Sequence, residues 1–104
     1  MAAESMQINV CKTTNFDRWL RKLRDPLARV RILARIRRMS FGNFGDTRAV
    51  GEGLFELRID HGPGYRVYFA LRGPGDVVLL CGGDKRTQDS DIRRAQRMNS
   101  ELVE

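Results

Sequence analysis

Three apolar segments joined by two short glycine- and proline-rich turns occupy residues 54–81 and leave little choice of fold. Residues 55–59 (FELRI) alternate between apolar and charged side chains, which predicts a strand with one buried face. Residues 65–71 alternate in the same way, and residues 77–81 (VVLLC) form the continuous apolar run of a central strand. Because the turns HGPG and GPGD are so short, we expect consecutive antiparallel strands.

The residues before this sheet have helical spacing instead. Thr14 is predicted to cap a first helix, and the pair Asp25-Pro26 marks the start of a second. So few residues separate the two that a helical hairpin is expected. The predicted core band of the second helix consists of Leu27, Val30, Leu33, Ala34 and Phe41, widened by Ile32, Ile36 and Met39.

The remaining segments complete an α+β fold. Residues 7–13 predict a first strand, residues 42–53 a glycine-rich loop, and Thr87 the cap of a C-terminal helix. The expected architecture is an N-terminal strand and a two-helix hairpin packed on a small antiparallel sheet, followed by a C-terminal helix. At this length we expect one domain over residues 1–104.

The positive charge is concentrated in one half of the chain. The net charge is +6, and 16 of the 19 cationic residues are arginine. Residues 1–48 hold 11 cations and 4 anions, whereas residues 49–104 hold 8 cations and 9 anions. This asymmetry indicates a polyanionic or acidic partner, although a solvated basic helix surface has the same composition.

The sequence lacks the common catalytic signatures. It has no phosphate-binding P-loop, no dinucleotide fingerprint, and no serine in a nucleophile-elbow context. With one histidine and two distant cysteines, Cys11 and Cys81, no metal site and no cofactor are predicted. No apolar run approaches the ~20 residues that span a membrane, and the N-terminus lacks the features of a secretory signal. We therefore expect a reduced, cytoplasmic protein without a membrane partner.

Strand alternation predicts a polar patch on the sheet. If the apolar residues of the first two meander strands face the helices, Glu56, Arg58, Arg66 and Tyr68 face the other way, with Lys85 close by. Such a patch is suited to a phosphodiester, because cations stabilise charge that develops on phosphorus oxygens. Tyr68 or His61 would stack on a base. Cross-strand ion pairing without any ligand is the alternative interpretation.

Two segments carry a family resemblance. GEGLFELRIDHGPGYRVYFALRG and the later VVLLCGGDKRTQDSDIRRA resemble the RelE/ParE superfamily of bacterial type II toxins, most of all its HigB-like branch of addiction-module killer proteins. The resemblance implies the RelE-like fold, a two-helix hairpin on a small antiparallel sheet. It also implies metal-independent cleavage of mRNA in the ribosome, in which a 2′-hydroxyl attacks the adjacent phosphate.

The resemblance also assigns residues. Arg66 matches the phosphate-stabilising arginine, Lys85 a catalytic cation, and Arg58 a strand cation. Glu56 stands where RelE-type enzymes have lysine, and Asp91 stands near a position where some ribonucleases of the superfamily have tyrosine or histidine. The predicted catalytic set is Arg66, Lys85, Glu56, Asp84 and Asp91. The predicted RNA-binding set is Arg58, Arg86, Tyr68, His61, Arg31, Arg35 and Arg38.

The resemblance thus implies a toxin that cuts mRNA on the ribosome and is held by a cognate antitoxin in a hetero-oligomer. The antitoxin is expected to be a small helix-turn-helix protein. Two alternatives stay open at this point, because ParE-like members of the superfamily inhibit DNA gyrase and lack the nuclease residues. The chain would then be a gyrase inhibitor, or an inactive relic that only binds its antitoxin.

Overall fold

The computed structural model describes residues 7–102, which form five strands, three α-helices and one 3-10 turn. The elements in chain order are β1 (Asn9–Lys12), α1 (Thr14–Lys22), α2 (Pro26–Ser40), β2 (Thr47–Gly51), β3 (Leu54–Ile59), β4 (Tyr65–Arg72), β5 (Asp76–Asp84), the 3-10 turn (Lys85–Thr87) and α3 (Gln88–Leu102). The predicted α+β class is confirmed. Residues 1–6, on which the expected absence of a secretory signal largely depends, lie outside the described residues. Within residues 7–102, the helices are too short or too polar to cross a membrane.

The strands form one mixed sheet in the order β1-β5-β4-β3-β2. Strands β3, β4 and β5 pair antiparallel with one another, as predicted, and β2 pairs antiparallel with β3. The predicted N-terminal strand, β1, joins this antiparallel sheet at its edge and pairs parallel with β5, with Asn9 opposite Asp76, so the whole sheet is mixed. The chain between these two strands far exceeds the dozen or so residues that a parallel connection requires.

Helices cover both faces of the sheet. On one face α1 and α2 enclose a core that includes Phe16, Ile32 and Phe69. On the other face Ala95 of α3 belongs to a second core with Tyr68. The sheet is therefore a middle layer. A residue that points away from the first core meets α3 over part of the sheet and solvent only beyond it.

The predicted core band of α2 is correct for two of the residues that widen it and wrong for most of the rest. Ile32 and Met39 are fully buried, whereas four residues of the predicted band are largely exposed: Leu27 by 50%, Val30 by 61%, Leu33 by 50% and Phe41 by 55%. The helix is apolar on two sides, and the contacts of Arg35 determine which of them packs on the sheet. Its guanidinium donates to the backbone carbonyls of Arg58 and Phe44, at 2.5 and 3.1 Å. These bonds fix Arg35 on the sheet side and turn the predicted band outward.

Each helix of the hairpin begins at a polar side chain that accepts hydrogen bonds from backbone N–H groups of the first turn. Asp25 caps α2 as predicted, and its carboxylate accepts from the backbone N–H groups of Leu27 and Ala28. The cap of α1 is Thr13 rather than the predicted Thr14, because the Thr13 hydroxyl accepts from the Phe16 backbone N–H. The side chain of Thr13 also reaches β5, which explains why the helix starts there.

The glycine-rich segment at 42–53 contains a strand, contrary to the prediction of a loop. Residues Thr47–Gly51 pair antiparallel with β3 as β2. The turn to β3 holds Gly51, Glu52 and Gly53 at φ values of 96°, 56° and 76°. Gly51 and Gly53 thus serve the tight turn, and Thr47, Arg48 and Ala49 before it pair with β3.

Two adjacent glycines let a helix approach each face of β5. A Cβ on Gly82 would lie 2.4 Å from the Trp19 ring of α1, and a Cβ on Gly83 would lie 1.8 Å from the Asp91 carboxylate of α3. The 3-10 turn follows at once, capped by Asp84, and α3 begins directly after Thr87.

Candidate functional site

An open groove lies where α3 stops covering the sheet. Arg58 is paired with Arg66 across β3 and β4, one step along the face from the pair of Glu56 and Tyr68. Glu56 and Tyr68 are fully buried, whereas Arg58 and Arg66 reach the groove. The groove has a volume of about 430 Å³. It is lined by Asp46, Arg58, Ile59, Asp60, Gly62, Pro63, Gly64, Arg66 and Lys85.

The groove brings together the three cations predicted on the sheet. Arg58 and Arg66 come from neighbouring strands, and Lys85 enters from the 3-10 turn after β5. The β3–β4 turn brings Gly64 against Lys85: the φ of Gly64 is 82°, which favours glycine, and a Cβ there would be in ordinary van der Waals contact with the Lys85 Cβ, at 3.6 Å. Within residues 7–102, Lys85 is exposed and forms no ion pair, so its ammonium is available to an anion.

Asp46 holds Arg58 in place at the groove wall. The Asp46 Oδ1 accepts from Arg58 Nε at 3.1 Å and from Nη2 at 2.8 Å. The hydrogen bonds from Arg58 keep the pKa of Asp46 below its ordinary value, and the same bonds raise the pKa of Arg58. Arg58 is therefore a positive charge held in one position, and its partner carboxylate, that of Asp46, also lines the groove.

Arg66 is the most enclosed cation of the groove. Its side chain is 13% exposed, and its Nε lies 3.9 Å from Glu56 Oε2. Within the described residues, the buried Arg66 Nε has no hydrogen-bond acceptor. The Nε is buried on the Glu56 side, so a phosphate oxygen in the groove would contact the guanidinium through its other nitrogens.

Glu56 lies beneath the groove rather than on an open face as predicted. Its Oε1 accepts from Arg48 Nε at 2.9 Å, and its Oε2 accepts from Gln88 Nε2 at 2.7 Å and from the Tyr68 hydroxyl at 3.2 Å. The side chain is fully buried because α3 covers this part of the sheet. Three donors occupy the carboxylate, so it supports Arg66 from below.

Tyr68 is also covered by α3, and the prediction that it is available to stack on a base is wrong. It belongs to the second core and is fully buried. Burial and the neighbouring Glu56 carboxylate raise the pKa of its hydroxyl far above the usual value, so it stays a neutral donor.

The other two predicted acids lie in the segment after β5 and do not line the groove. Asp84 caps the 3-10 turn, accepting from the Arg86 backbone N–H and guanidinium, each at 2.9 Å. Those hydrogen bonds lower the pKa of Asp84. Asp91 is 5% exposed, and its Oδ2 accepts from the Thr87 hydroxyl at 2.5 Å.

Asp60 lines the groove, and the sequence-based site set omitted it. Within residues 7–102, it is exposed and forms no ion pair, unlike Asp46 beside it. Its position at the end of β3, two residues after Arg58, is the signal that could have identified it. Strand alternation puts both residues on one face of the sheet.

The side chain of His61 already has partners within the protein. Its Nε2 lies 2.9 Å from Asp25 Oδ2, and its ring stacks on Tyr65 at a centroid distance of 6.5 Å. The side chain is 17% exposed and is not part of the groove wall. The predicted stacking of His61 on a base would require this contact with Asp25 to open.

The arginine stripe of α2 divides into two roles. Arg35 is tied to backbone carbonyls, whereas Arg31 and Arg38 are exposed. All three line a second depression of about 220 Å³, and Asp60 borders both this depression and the groove. The stripe thus continues the basic surface of the groove along α2. Arg86 lies apart from it and is paired with Asp84.

Comparison with known families places the chain. The family model described as Phage derived protein Gp49-like (DUF891) matches residues 18–100, which include every groove residue. The chain belongs to this Gp49-like family. A relative in Haemophilus influenzae, described only as an uncharacterized protein, is 53% identical over 97 residues, which are 93% of this chain and 98% of the relative.

The Gp49-like chain also resembles a solved structure. One chain of the crystal structure of the toxin–antitoxin complex RelBE2 from Mycobacterium tuberculosis superimposes with a TM-score of 0.62 at 21% sequence identity. The match covers 76% of the Gp49-like chain and 99% of that chain. At this identity the likeness establishes a shared RelE-like fold.

The groove of the Gp49-like chain is suited to an anion rather than to a metal ion. Residues 7–102 contain no cluster of three or more side chains suited to metal ligation. The groove instead presents two arginines and a lysine, which is the donor set of an anion site.

Proposed function

We propose that this Gp49-like protein is the toxin of a type II toxin–antitoxin pair and cleaves RNA in the groove. The convergence of Arg58, Arg66 and Lys85 carries the proposal, because three cations at one sheet edge fit a phosphodiester. The RelE-like fold shared with a chain of a toxin–antitoxin complex supports it. The RNA is proposed to be mRNA in the ribosome.

The proposed reaction is a transesterification that needs only side chains. A ribose 2′-oxygen attacks the adjacent phosphorus and loses its proton to a base, while the bond to the 5′-oxygen breaks. The products are a 2′,3′-cyclic phosphate and a 5′-hydroxyl. Arg66 neutralises the charge on the phosphorus oxygens, and Lys85 donates a proton to the leaving oxygen. Arg58 positions the phosphate from the groove wall.

Asp60 is the proposed general base. The carboxylates of Glu56, Asp84 and Asp91 are hydrogen-bonded outside the groove, and Asp46 is bound to Arg58. Asp60 is the groove carboxylate that forms no ion pair within residues 7–102. It therefore takes the place of Glu56, Asp84 and Asp91 as the catalytic carboxylate.

The surface beside the groove is proposed to hold the rest of the substrate. Arg31 and Arg38 extend the cationic surface along α2, where they would contact phosphates without reading sequence. The partner that controls the toxin is proposed to be an antitoxin encoded by an adjacent reading frame, a small helix-turn-helix protein.

Induction of the wild type and of Arg66→Ala, with mapping of mRNA 5′ ends, tests the nuclease. The wild type should arrest growth with new 5′-hydroxyl ends in translated mRNA, and Arg66→Ala should lower cleavage by at least about 100-fold. Arg97→Ala is the matched control, since Arg97 is an exposed arginine of α3 outside the groove. Arrested cells with intact transcripts would sink the nuclease proposal.

Gyrase inhibition is the second candidate. It is favoured by one observation, the burial of Glu56 and Tyr68 under α3, which leaves the groove with fewer catalytic groups than predicted. If induction of the protein caused loss of negative supercoiling of DNA while mRNA stayed intact, gyrase inhibition would be the function. An inactive protein that only binds an antitoxin would show neither effect, and Arg66→Ala would then leave growth unchanged.

A further inference from the structure

The outer face of α2 is apolar and uncovered within the described residues. This face consists of Leu27, Val30, Leu33 and Ala34, and it is extended by Phe41, the residue that caps the end of the helix. Its four large side chains are each exposed by half or more. Single exposed apolar residues are ordinary, but a row of them along one helix indicates a surface that is covered in use.

The spacing of these residues suits a second helix laid alongside. Leu27, Val30 and Ala34 follow at intervals of three and four, and Phe41 comes seven residues later, so they share one side of α2. This is the anchor spacing by which one amphipathic helix recognises another. At 15 residues, α2 is about 22 Å long, enough for about four turns of a partner.

The charge around this face is of one sign. Helix α2 contains five arginines, and the sequence has no Asp or Glu between Pro26 and Gly45. Arg31, Arg37 and Arg38 are exposed beside the apolar row. A partner that covers the row therefore gains most when its own flanks are acidic.

We propose that the outer face of α2 is a docking surface for an acidic amphipathic helix of another protein. A second copy of this chain is disfavoured, since a symmetric contact would oppose two five-arginine helices. RNA would pair with the arginines but would leave the leucines, valine and phenylalanine uncovered. The inference concerns a surface outside the groove and stands whether or not the protein cuts RNA.

A synthetic helix serves as the probe. It is an 18-residue labelled peptide with leucine at every a and d heptad position and glutamate beside them, and a scrambled peptide of the same composition is its control. Fluorescence anisotropy with the full chain at 150 mM salt should show at least about tenfold tighter binding of the amphipathic peptide. Equal affinity for both peptides would reduce the interaction to charge alone and overturn the proposal.

Variants locate the contact. The double variant Val30→Ser/Leu33→Ser should weaken peptide binding by about tenfold or more. The charge-reversed Arg37→Glu/Arg38→Glu should also weaken it. Leu102→Ser, at an exposed leucine of α3, is the matched control and should bind like the wild type. All altered residues are exposed, so unchanged thermal melting should confirm that each variant folds.

Three outcomes would contradict the proposal. Peptide binding that survives both double variants would place the contact elsewhere. Binding to vesicles of anionic lipid, without binding to the peptide, would make the surface a membrane contact. A wild-type dimer that Val30→Ser/Leu33→Ser dissociates would make it a self-association surface. Arg66→Ala should keep full peptide affinity, so failure of the nuclease proposal is distinguishable from failure here.

Discussion

Glu56 shows how one buried side chain organises the groove from below. Its donors come from β2, β4 and α3, so the carboxylate ties three elements together. Burying a carboxylate is costly unless hydrogen bonds replace its contacts with water. Because the same oxygen that accepts from Gln88 also faces Arg66, the strength of this network sets the orientation of the groove arginine.

Glu56→Ala should lower the free energy of unfolding by about 3 kcal/mol, because it leaves Arg48, Tyr68 and Gln88 without their shared acceptor. Urea denaturation measures the loss. Glu101→Ala, at an exposed glutamate of α3, is the control and should change the free energy of unfolding by less than about 0.5 kcal/mol. Equal stability of the two variants would show that the buried network contributes nothing.

At the scale of elements, α2 has two apolar sides that do different work. Ile32 faces the sheet and is fully buried, whereas Val30 is 61% exposed. The helical spacing of apolar residues is compatible with burial of either side in the core. The choice is made by long-range contacts of Arg35 with the loop after α2 and with β3, which no local pattern contains.

The two sides of α2 should respond differently to truncation. Ile32→Ala should lower the free energy of unfolding by about 3 kcal/mol, since it opens a cavity in the core. Val30→Ala removes methyl groups that already contact water, and it should change stability by less than about 0.5 kcal/mol. Chemical denaturation of both variants checks the difference. Similar losses would mean that the outer face is packed in the isolated protein.

The N-terminus of α2 should carry a measurable pH dependence. The hydrogen bond with His61 keeps the pKa of Asp25 below its ordinary value of 3.8. Its ionised form therefore stabilises the fold fully above that ordinary value, and the stabilisation is lost as the pH falls through the lower folded pKa. Asp25→Asn keeps a capping oxygen but removes the charge, so it isolates this contribution.

Thermal melting of the wild type and Asp25→Asn between pH 6 and pH 2 tests this expectation. The wild type should melt higher above about pH 4, and the difference should vanish towards about pH 2. Other carboxylates, such as Asp46, titrate in both proteins and cancel in the comparison. A difference in melting temperature that does not change with pH would contradict the role of the Asp25 charge.

At the scale of the whole molecule, charge is divided between a fixed groove and an exposed helix. Arg58 and Arg66 are held by acidic partners, so they add local charge at defined positions. Arg31 and Arg38 are exposed beside the groove and add a diffuse field. Binding of a polyanion should therefore depend on salt chiefly through the second pair.

Arg31→Ala/Arg38→Ala should reduce the salt dependence of single-stranded RNA binding. Two lost phosphate contacts lower the slope of log affinity against log salt by about 1.4. Titration of a short oligonucleotide at several salt concentrations measures the slope. Arg94→Ala/Arg97→Ala removes the same charge from α3 and should leave the slope nearly unchanged. If both double variants reduce it equally, net charge rather than the α2 surface determines binding.

Most of the fold follows from local pattern, and the site follows only in part. The strands β3 to β5 were predictable because alternation and short turns leave one topology. The strand β2 was not, since its pairing with β3 is invisible in a glycine-rich segment. Alternation correctly placed Arg58 and Arg66 together. It failed for Glu56 and Tyr68, because it says which face a residue takes but not what lies over that face.

The parallel pairing of β1 with β5 orders events during synthesis. Asn9 has no neighbour in the sheet until its pairing partner Asp76, 67 residues later in the chain, has been synthesised. Contacts this distant in sequence form slowly, because a long loop must close before they are made. Lys85 is synthesised just after β5, so the groove cannot be complete before that strand has been made. A nascent chain therefore carries no finished groove while most of its length is still being made.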